Sequence, residues 1–291
     1  MKDYMITAMA AKSQIRAFAV TSGELAEEAR RAHNTSPVAT AALGRTMSAA
    51  LLMADMLKDE KNLLTVRFDG DGPIGAVVVT ASKAGDVKGY VRNPSVMLPP
   101  NAAGHRDVGG AVGRGMLTVI RDLDNKNTYT GQTAIRSGEI AEDLTWYFAE
   151  SEQVPTSVGL GVLMNKDNTV RVAGGFIIQL MPFAAEEVIT ALEKNLGSIP
   201  SVTDMLKEGM TPEDMLAAVL AGFDLEITSH KPVRFFCGCD RKRVEGALRL
   251  LGKEELEDMI RENKDVELAC QFCGKKYCFT PEQIREIQEE A

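Results

Sequence analysis

The stretch of sequence that decides the fold runs from Leu63 to Val91 and reads LLTVRFDGDGPIGAVVVTASKAGDVKGYV. Apolar and β-branched residues recur in it as three short runs, a pattern typical of strands. Two turn sequences separate these runs, Asp69-Gly70-Asp71-Gly72 and Ala84-Gly85-Asp86, and their Gly and Asp residues favour tight reversals of the chain. The stretch therefore predicts a three-stranded antiparallel meander.

The segments around the meander predict the remainder of a domain that spans residues 1–182. Helical periodicity covers Gly23 to Lys58, and Ser36-Pro37 divides it, because a serine N-cap followed by proline starts a new helix. A further helix is predicted near residues 139–150. Strands are predicted twice within residues 4–21 and once each at 115–122, 128–136, 156–164 and 170–181. The predicted fold class is α+β, with an N-terminal mixed domain built on antiparallel sheets with helices.

After Pro182 the sequence becomes helical and poor in strands, and we assign residues 183–230 to a helical linker. Glycines and a proline divide the linker into short helices, which must pack on another surface to be stable. Its three methionines recur at helical spacing, at Met205, Met210 and Met215. This spacing favours a core position over an adaptable binding surface. Residues 231–291 are then a small C-terminal domain.

Composition and charge narrow the functional classes. The chain has 291 residues, of which 45% are hydrophobic and 25% are charged, as in ordinary folded proteins. A formal net charge of −8 disfavours non-specific nucleic-acid binding by the whole surface. No run reaches the roughly 18 apolar residues that a membrane span needs, so we expect a cytoplasmic protein without a membrane partner.

All five cysteines follow residue 236, and four of them form two close pairs, Cys237-Gly-Cys239 and Cys270-Gln-Phe-Cys273. In a reducing compartment such pairs more often bind metal or undergo redox chemistry than form structural disulfides. The residues between the pairs are enough for two short helices, 241–251 and 253–263. Four thiolates suit tetrahedral zinc and leave no open position for a substrate water. We therefore predict one Zn²⁺ per chain, bound by Cys237, Cys239, Cys270 and Cys273.

The expected energies indicate how such a site acts as a switch. A structural zinc contributes an apparent ~10 to 16 kcal/mol to folding, whereas disulfides that close three- or four-residue loops contribute only about 1.5 to 2 kcal/mol each. A domain of roughly 60 residues has too small a core to be stable without further support. Oxidation that releases the metal is therefore expected to unfold the C-terminal domain.

Several motifs distributed over the chain carry a resemblance to a known family. They are Gly44-Arg45-Thr46-Met47, Gly72-Pro73-Ile74-Gly75-Ala76, Ser151-Glu152-Gln153-Val154-Pro155, Gly174-Gly175-Phe176-Ile177-Ile178-Gln179-Leu180-Met181-Pro182 and Pro232-Val233-Arg234-Phe235, followed by the two cysteine pairs. With these residues the sequence resembles, over essentially its full length, the 33 kDa heat-shock chaperones, the redox-regulated holdases of the bacterial cytosol.

The resemblance implies a chaperone of the oxidative-stress response that acts without ATP and is not an enzyme. The reduced, zinc-bound form is expected to be inactive. Oxidation is expected to form the disulfides Cys237–Cys239 and Cys270–Cys273, to release zinc and to free the linker from the sheet of the first domain. The implied partners are unfolding client proteins, a second copy of the activated chain, and reductants of the thioredoxin or glutaredoxin type.

Two local features have competing interpretations. Cys278 stands where an aliphatic residue is usual in the family, and we interpret it as a small packed hydrophobe in a short strand at 277–279, rather than as a thiol that scrambles disulfides. Gly70, Gly72 and Gly75 fit G-x-G-x-x-G. The β-like sequence that follows favours a hairpin turn over a nucleotide site.

Two other functional classes are weighed against the chaperone. A nucleic-acid-binding protein would use the basic residues near the cysteines, but a solvated face around the metal is the favoured interpretation. These basic residues are Lys231, Arg234, Arg241, Lys242 and Arg243. For an enzyme, the sequence offers no recognisable set of nucleophile, base and orienting residue. His33, His105 and His230 lie at no spacing that suggests a catalytic pair with a cysteine.

Overall fold

The predicted meander is present in the computed structural model as three consecutive strands. They are β3 (Leu63–Gly70), β4 (Ala76–Ser82) and β5 (Asp86–Val91). β3 pairs antiparallel with β4, and β4 pairs antiparallel with β5, so the prediction is confirmed.

The structure describes residues 2–102, 104–123 and 127–289; the remaining residues of the predicted domains lie outside this description. The described chain divides into two compact units, of which the first ends at Phe235 and the second begins at Phe236. The segment predicted as a linker therefore belongs to the same compact unit as the first domain.

The meander is the centre of a six-stranded sheet with the order β11-β5-β4-β3-β6-β7. Both further strands are predicted, and β6 (Gly115–Leu123) pairs antiparallel with β3 while β7 (Asn127–Ile135) pairs antiparallel with β6. The short helix α3 (Val108–Val112) precedes β6. β11 (Arg234–Phe235) joins β5 in parallel and is not predicted by the sequence, because two residues carry no periodic pattern.

Close approach of the main chain explains the glycines in the first turn of the meander. A Cβ on Gly70 would lie 1.9 Å from the carbonyl oxygen of Val112, and one on Gly72 would lie 2.4 Å from that of Ala111. Gly75 has a φ of +74°, in the region that favours glycine. The segment is a hairpin turn followed by β4, as predicted.

The second sheet is five-stranded and antiparallel, with the order β10-β1-β2-β9-β8. Four of its strands are predicted, β1 (Tyr4–Ala10), β2 (Ile15–Thr21), β8 (Thr156–Met164) and β9 (Val170–Leu180). β10 (Glu226–Pro232) is not predicted, and most of it lies within the segment assigned to the helical linker. β10 is mostly exposed, so its sequence shows no apolar alternation. It forms a strand because it pairs with the edge of β1.

Helix α2 (Pro37–Asp55) lies between the two sheets, in contact with β3, β4 and β5 on one side and with β8 and β9 on the other. Sixteen of its 19 residues are buried. It follows α1 (Gly23–His33), and the Ala39 N–H donates to the Ser36 Oγ at 3.4 Å across the predicted N-cap. The helix predicted near residues 139–150 is α4 (Ala141–Tyr147), which continues as a π-helical turn at Phe148–Glu152.

Three linker helices cover the opposite face of the five-stranded sheet. They are α5 (Glu186–Leu196), α6 (Val202–Lys207) and α7 (Pro212–Val219). Thr211 caps α7 in a reciprocal capping box with Asp214. The N-terminal unit therefore consists of four layers, which are the linker helices, the five-stranded sheet, α2 and the six-stranded sheet.

Within its described residues, 236–289, the C-terminal unit contains three helices and a two-stranded sheet. They are α8 (Arg241–Arg249), α9 (Lys253–Glu262), β12 (Val266–Ala269), β13 (Lys276–Phe279) and α10 (Pro281–Glu289). The two predicted helices and the short strand at 277–279 are confirmed. Leu248, Leu256, Phe279 and Ile284 form the centre of its small core.

Candidate metal centre

Cys237 and Cys239 lie in the segment that leads into α8. Gly238 between them has a φ of +50°, which glycine adopts without strain. Directly after Cys239, the Asp240 carboxylate accepts a hydrogen bond from the Arg243 N–H at 2.8 Å and caps α8. The first thiol pair is thus positioned at the start of a helix.

Cys270 and Cys273 lie in the tight turn between β12 and β13. The Cys270 N–H donates to the Lys275 carbonyl at 2.8 Å, and the Gly274 N–H donates to the Cys270 carbonyl at 2.7 Å. Gly274 has a φ of +70°. The antiparallel pairing of β12 with β13 therefore determines the shape of the turn that carries the second thiol pair.

The four sulfur atoms of Cys237, Cys239, Cys270 and Cys273 converge, with every pair within 4.8 Å. The Cys237 and Cys270 sulfurs are 3.6 Å apart, and those of Cys239 and Cys273 are 3.4 Å apart. Tetrahedral coordination with zinc–sulfur bonds of about 2.3 Å requires sulfur atoms about 3.8 Å apart. The arrangement therefore fits a four-thiolate metal site.

The surroundings of the thiols shift their pKa values in different directions. Burial by itself raises the pKa of Cys239, but hydrogen bonds from the Tyr277 hydroxyl and the neighbouring thiols outweigh it and lower that pKa to about 7. Burial, together with the adjacent Cys270 thiol, raises the pKa of Cys237, and burial also raises the pKa of Cys273. Without a bound cation, Cys239 is therefore nearer to its thiolate form at neutral pH than Cys237 or Cys273.

Tyr277 supports the cluster and is not predicted as a site residue. Its hydroxyl donates to the Cys239 Sγ at 3.1 Å, and this bond raises the pKa of Tyr277 above its usual range. The sequence signal for its role is weak. Period-2 alternation in β13 places Tyr277 and Phe279 on the buried face, but not next to a particular thiol.

Cys278 lies on the other face of β13 and is exposed. Its Sγ is 3.9 Å from the Asp265 carboxylate. The interpretation of Cys278 as a packed hydrophobe is therefore wrong, because alternation along the strand turns its side chain outward when Tyr277 and Phe279 face the core. Cys278 is not part of the four-thiol cluster.

Three of the five basic residues weighed as a nucleic-acid patch make internal side-chain contacts. The Lys231 ammonium donates to the Asp55 carboxylate at 2.5 Å, and the Arg234 guanidinium donates to Asp86 at 2.7 Å. The Arg241 guanidinium lies over the Phe279 ring at 4.2 Å and donates to the Cys278 carbonyl. These contacts favour the interpretation of the basic residues as a solvated surface around the metal site. They argue against a patch that neutralises nucleic-acid phosphates.

The linker helices bury a continuous apolar layer against the five-stranded sheet. Met205, Met215, Leu216 and Val219 are fully buried, and Met210 packs partly buried beside them. The sheet residues beneath include Ile6, Ala8, Ile15, Ala17, Phe176 and Ile178. The methionines are therefore core residues in this form of the protein, as their spacing predicts.

A polar contact joins α7 to the edge of the same sheet. The Tyr4 hydroxyl donates to the Glu213 carboxylate at 2.6 Å, and burial together with this bond raises the pKa of Tyr4 to about 12. The His230 ring stacks on Tyr4 with centroids 4.4 Å apart, and its Nε2 lies 3.5 Å from Glu213. The sequence does not predict this group, because its members are far apart along the chain.

A glycine allows the start of α6 to approach the sheet closely. A Cβ on Gly161 of β8 would lie 2.8 Å from the Thr203 Cγ2 and 3.1 Å from the Thr203 main-chain nitrogen. Any larger residue at this position would push α6 away from the sheet.

No helix in the part of the chain that the structure describes is both long and apolar enough to cross a membrane.

The sequence and the structure were compared with those of known proteins. The family model described as "Hsp33 protein" matches residues 3–280. The chain is 54% identical over 287 residues to the 33 kDa chaperonin of Lachnoclostridium phytofermentans, covering 99% of this chain and 98% of that protein. It is 48% identical over 291 residues to the 33 kDa chaperonin of Clostridioides difficile, covering 100% of both.

A solved structure is similar over the whole chain. It is the crystal structure of the 33 kDa chaperonin, a heat shock protein 33 homologue, from Thermotoga maritima. The TM-score is 0.93 at 36% sequence identity, and the match covers 100% of this chain and 99% of that one.

Proposed function

The chain belongs to the Hsp33 family of chaperones, and from this premise we propose that it is a redox-regulated holdase that acts without ATP. It protects unfolding and oxidatively damaged proteins from aggregation in the cytoplasm and catalyses no reaction. The observation that carries the proposal is the convergence of the four thiols of Cys237, Cys239, Cys270 and Cys273 in a separate small unit.

In the reduced form these four cysteines hold one zinc ion as thiolates. A bound zinc supplies the cohesion that the small core of the C-terminal unit lacks. The linker helices meanwhile remain on the five-stranded sheet, with Met205, Met215 and Leu216 buried. The apolar surface that would bind clients is covered, so the reduced form is inactive.

Oxidation by peroxide proceeds at the thiolates. A cysteine sulfur attacks peroxide, an S–O bond forms as the O–O bond breaks, and hydroxide leaves. A neighbouring thiol then attacks the sulfenic acid, so that an S–S bond forms, and its proton leaves with the hydroxyl group as water. We propose Cys237–Cys239 and Cys270–Cys273 as the products. A dithiol reductant of the thioredoxin or glutaredoxin type reverses both bonds.

Loss of the thiolate ligands leaves the C-terminal unit without its metal, and its small core is insufficient to keep it folded. The linker helices then leave the sheet. This exposes apolar residues on both surfaces, and the activated chains associate as dimers. The division into a domain at 1–182, a linker at 183–230 and a redox-switch domain at 231–291 remains part of this proposal.

The test follows zinc release and client aggregation in the same sample. Peroxide is added at raised temperature, a chromogenic chelator measures zinc, and light scattering measures aggregation of an unfolding client. We expect about one zinc per chain to leave as scattering is suppressed, with both changes reversed by a thiol reductant. Zinc release with undiminished aggregation would contradict the proposal.

Peptide mapping of the oxidised protein tests the disulfide pairing separately. Two short sulfur distances join thiols of different pairs, 3.6 Å for Cys237 and Cys270 and 3.4 Å for Cys239 and Cys273. Disulfides within each pair are expected. Disulfides that join one pair to the other, such as Cys237–Cys270, would contradict the proposed pairing. They would hold the two segments together after the metal has left and so oppose the unfolding of the C-terminal unit.

A further inference from the structure

A cleft of 840 Å³ lies beside β8, the outermost strand of the five-stranded sheet. Leu160 and Val162 of β8 line it. Its other walls include Asn101 and His105 from the loop before α3, Arg45 from α2, and Thr203 from α6. The cleft is thus enclosed by several elements and has a strand edge as one wall.

Hydrogen bonding fixes which main-chain groups of β8 point into this space. The Leu180 N–H donates to the Pro155 carbonyl at 3.0 Å, which makes these residues a hydrogen-bonded pair between β9 and the start of β8. Such pairs recur at every second residue of an antiparallel ladder. With the observed register, Gly159 and Gly161 bond to β9. The N–H and C=O groups of Leu160 therefore point away from β9.

The same alternation turns the main-chain groups of Val158 and Val162 outward. In the described part of the chain, no hydrogen bond engages the outward groups of Val158, Leu160 or Val162. Val158 lies outside the cleft, whereas Leu160 and Val162 line it. The cleft therefore contains an unpaired row of main-chain donors and acceptors at strand spacing.

Arg45 lines the cleft and carries one unpaired donor. Its Nη1 donates to the Glu139 carboxylate at 2.6 Å, but its buried Nε has no hydrogen-bond partner. A main-chain carbonyl is an acceptor that suits this donor. The apolar side chains of the β8 residues supply the contacts that an alternating sequence would need.

We propose that the open edge of β8 in this cleft binds one extended segment of an unfolding polypeptide as an added strand. The inference rests on the proposed chaperone function and names the mode of client binding. An added strand pairs with main-chain groups that every sequence possesses, which suits a protein whose clients differ in sequence. The cleft has walls from several elements besides the strand edge, and the segment would lie between them.

Release of the linker enlarges the site. The start of α6 forms one wall, and Thr203 lies directly over Gly161 of the strand. When α6 leaves, the edge of β8 opens along more of its length, and longer segments bind. A short peptide therefore binds the reduced protein, and a longer one binds more tightly after oxidation.

The test compares two proline variants of β8, Leu160→Pro and Val158→Pro. Proline at either position removes an outward N–H and leaves the ladder with β9 intact, as edge strands tolerate. Only position 160 lies in the cleft. The probe is a fluorescent peptide of ten alternating valine and threonine residues with a lysine at each end, titrated into the full-length protein before and after peroxide treatment.

We expect Leu160→Pro to weaken peptide binding about fivefold to tenfold, because one hydrogen bond and the strand register are lost, and Val158→Pro to bind as the unmodified protein does. Hydrogen exchange of the unmodified protein gives an independent readout. The amides of Leu160 and Val162 are expected to gain protection when the peptide binds, and the amide of Val158 is not.

Equal weakening in both variants, or no gain in protection at Leu160 and Val162, would overturn the inference. So would a Leu160→Pro variant that loses self-association in sedimentation but still binds the peptide, because the edge would then pair with a second copy. If Leu160→Pro fails to fold, the exchange experiment decides alone. The chaperone function is tested separately, in the aggregation assay without the peptide. If the oxidised protein fails to suppress aggregation there, the proposed function is contradicted, whatever the peptide-binding result.

Discussion

The two faces of the five-stranded sheet are covered in different ways. On the inner face lies α2, a single 19-residue helix that is buried on nearly all sides between two sheets. On the outer face lie α5, α6 and α7, with 11, 6 and 8 residues, each having an exposed side. Isolated helices shorter than about 12 to 15 residues are marginal in water. The outer layer therefore depends entirely on its contact with the sheet.

Under the proposed function, this difference allows one sheet to serve both stability and switching. Removal of α2 would expose the apolar faces of both sheets and unfold the unit. Removal of the linker helices would expose only the outer face, around Ile15, Ala17 and Phe176, and would leave the three inner layers in place. The inner face is thus suited to a permanent core and the outer face to a removable cover.

The largest expected effect comes from breaking the metal cluster, which should remove the outer cover and leave the inner layers. Cys273→Ser deletes one of the four thiols, and a structural zinc is worth an apparent ~10 to 16 kcal/mol. We expect α8, α9 and α10 to lose hydrogen-exchange protection, the linker helices to lose it next, and α2 to keep it. Cys278→Ser is the matched control, because that thiol is exposed and outside the cluster. The same exchange pattern in both variants would refute the prediction.

Truncation of one methionine on the inner face and one on the outer face of the five-stranded sheet tests the difference between the two faces directly. Met215 of α7 and Met47 of α2 are both fully buried, and Met→Ala at such sites costs about 2 to 5 kcal/mol. Met215→Ala should loosen the linker alone, so that the reduced protein suppresses client aggregation at a lower temperature. Met47→Ala should instead lower the temperature of global unfolding. The prediction is wrong if calorimetry and light scattering respond alike to the two variants.

A glycine pair tests the close approach of α6. Gly161→Ala places a Cβ 2.8 Å from the Thr203 Cγ2, whereas Gly23→Ala places one no closer than 3.7 Å to the Ala173 nitrogen. Overpacking of this kind costs about 1 to 3 kcal/mol. We expect faster amide exchange in α6 for Gly161→Ala and an unchanged rate for Gly23→Ala. Equal exchange rates in the two variants would show that the helix adjusts without cost.

The smallest effect concerns the polar contact between α7 and the sheet. Tyr4→Phe removes the hydroxyl that donates to Glu213 and keeps the ring that stacks on His230. Hydrogen bonds to charged groups contribute about 1.5 to 3 kcal/mol, and because this one is only partly buried we expect its loss to cost about 1 kcal/mol, so α7 should exchange its amides about five times faster. Tyr129→Phe, at an exposed ring, is the control and should change nothing. An unaltered α7 in Tyr4→Phe would mean that apolar packing alone holds the helix.

The sequence by itself predicts most helices and strands, because their signals are local. The serine cap and proline that start α2, the turn glycines of the meander and the capping box of α7 act within a few residues. The two cysteine pairs are recognisable for the same reason, since each spans only three or four residues. The burial of the linker methionines also follows from spacing along a helix.

Only the tertiary structure decides which distant residues meet. β10 is a strand because the edge of β1 accepts it, and Cys278 is exposed because Tyr277 and Phe279 occupy the core face of the same strand. The contact of Tyr277 with Cys239 and that of Gly161 with Thr203 likewise join separate segments. Local periodicity reports which side of an element is apolar, but not what covers it. The covering partner is determined by non-local packing, which places one long buried helix on one face of the sheet and three short, partly exposed helices on the other.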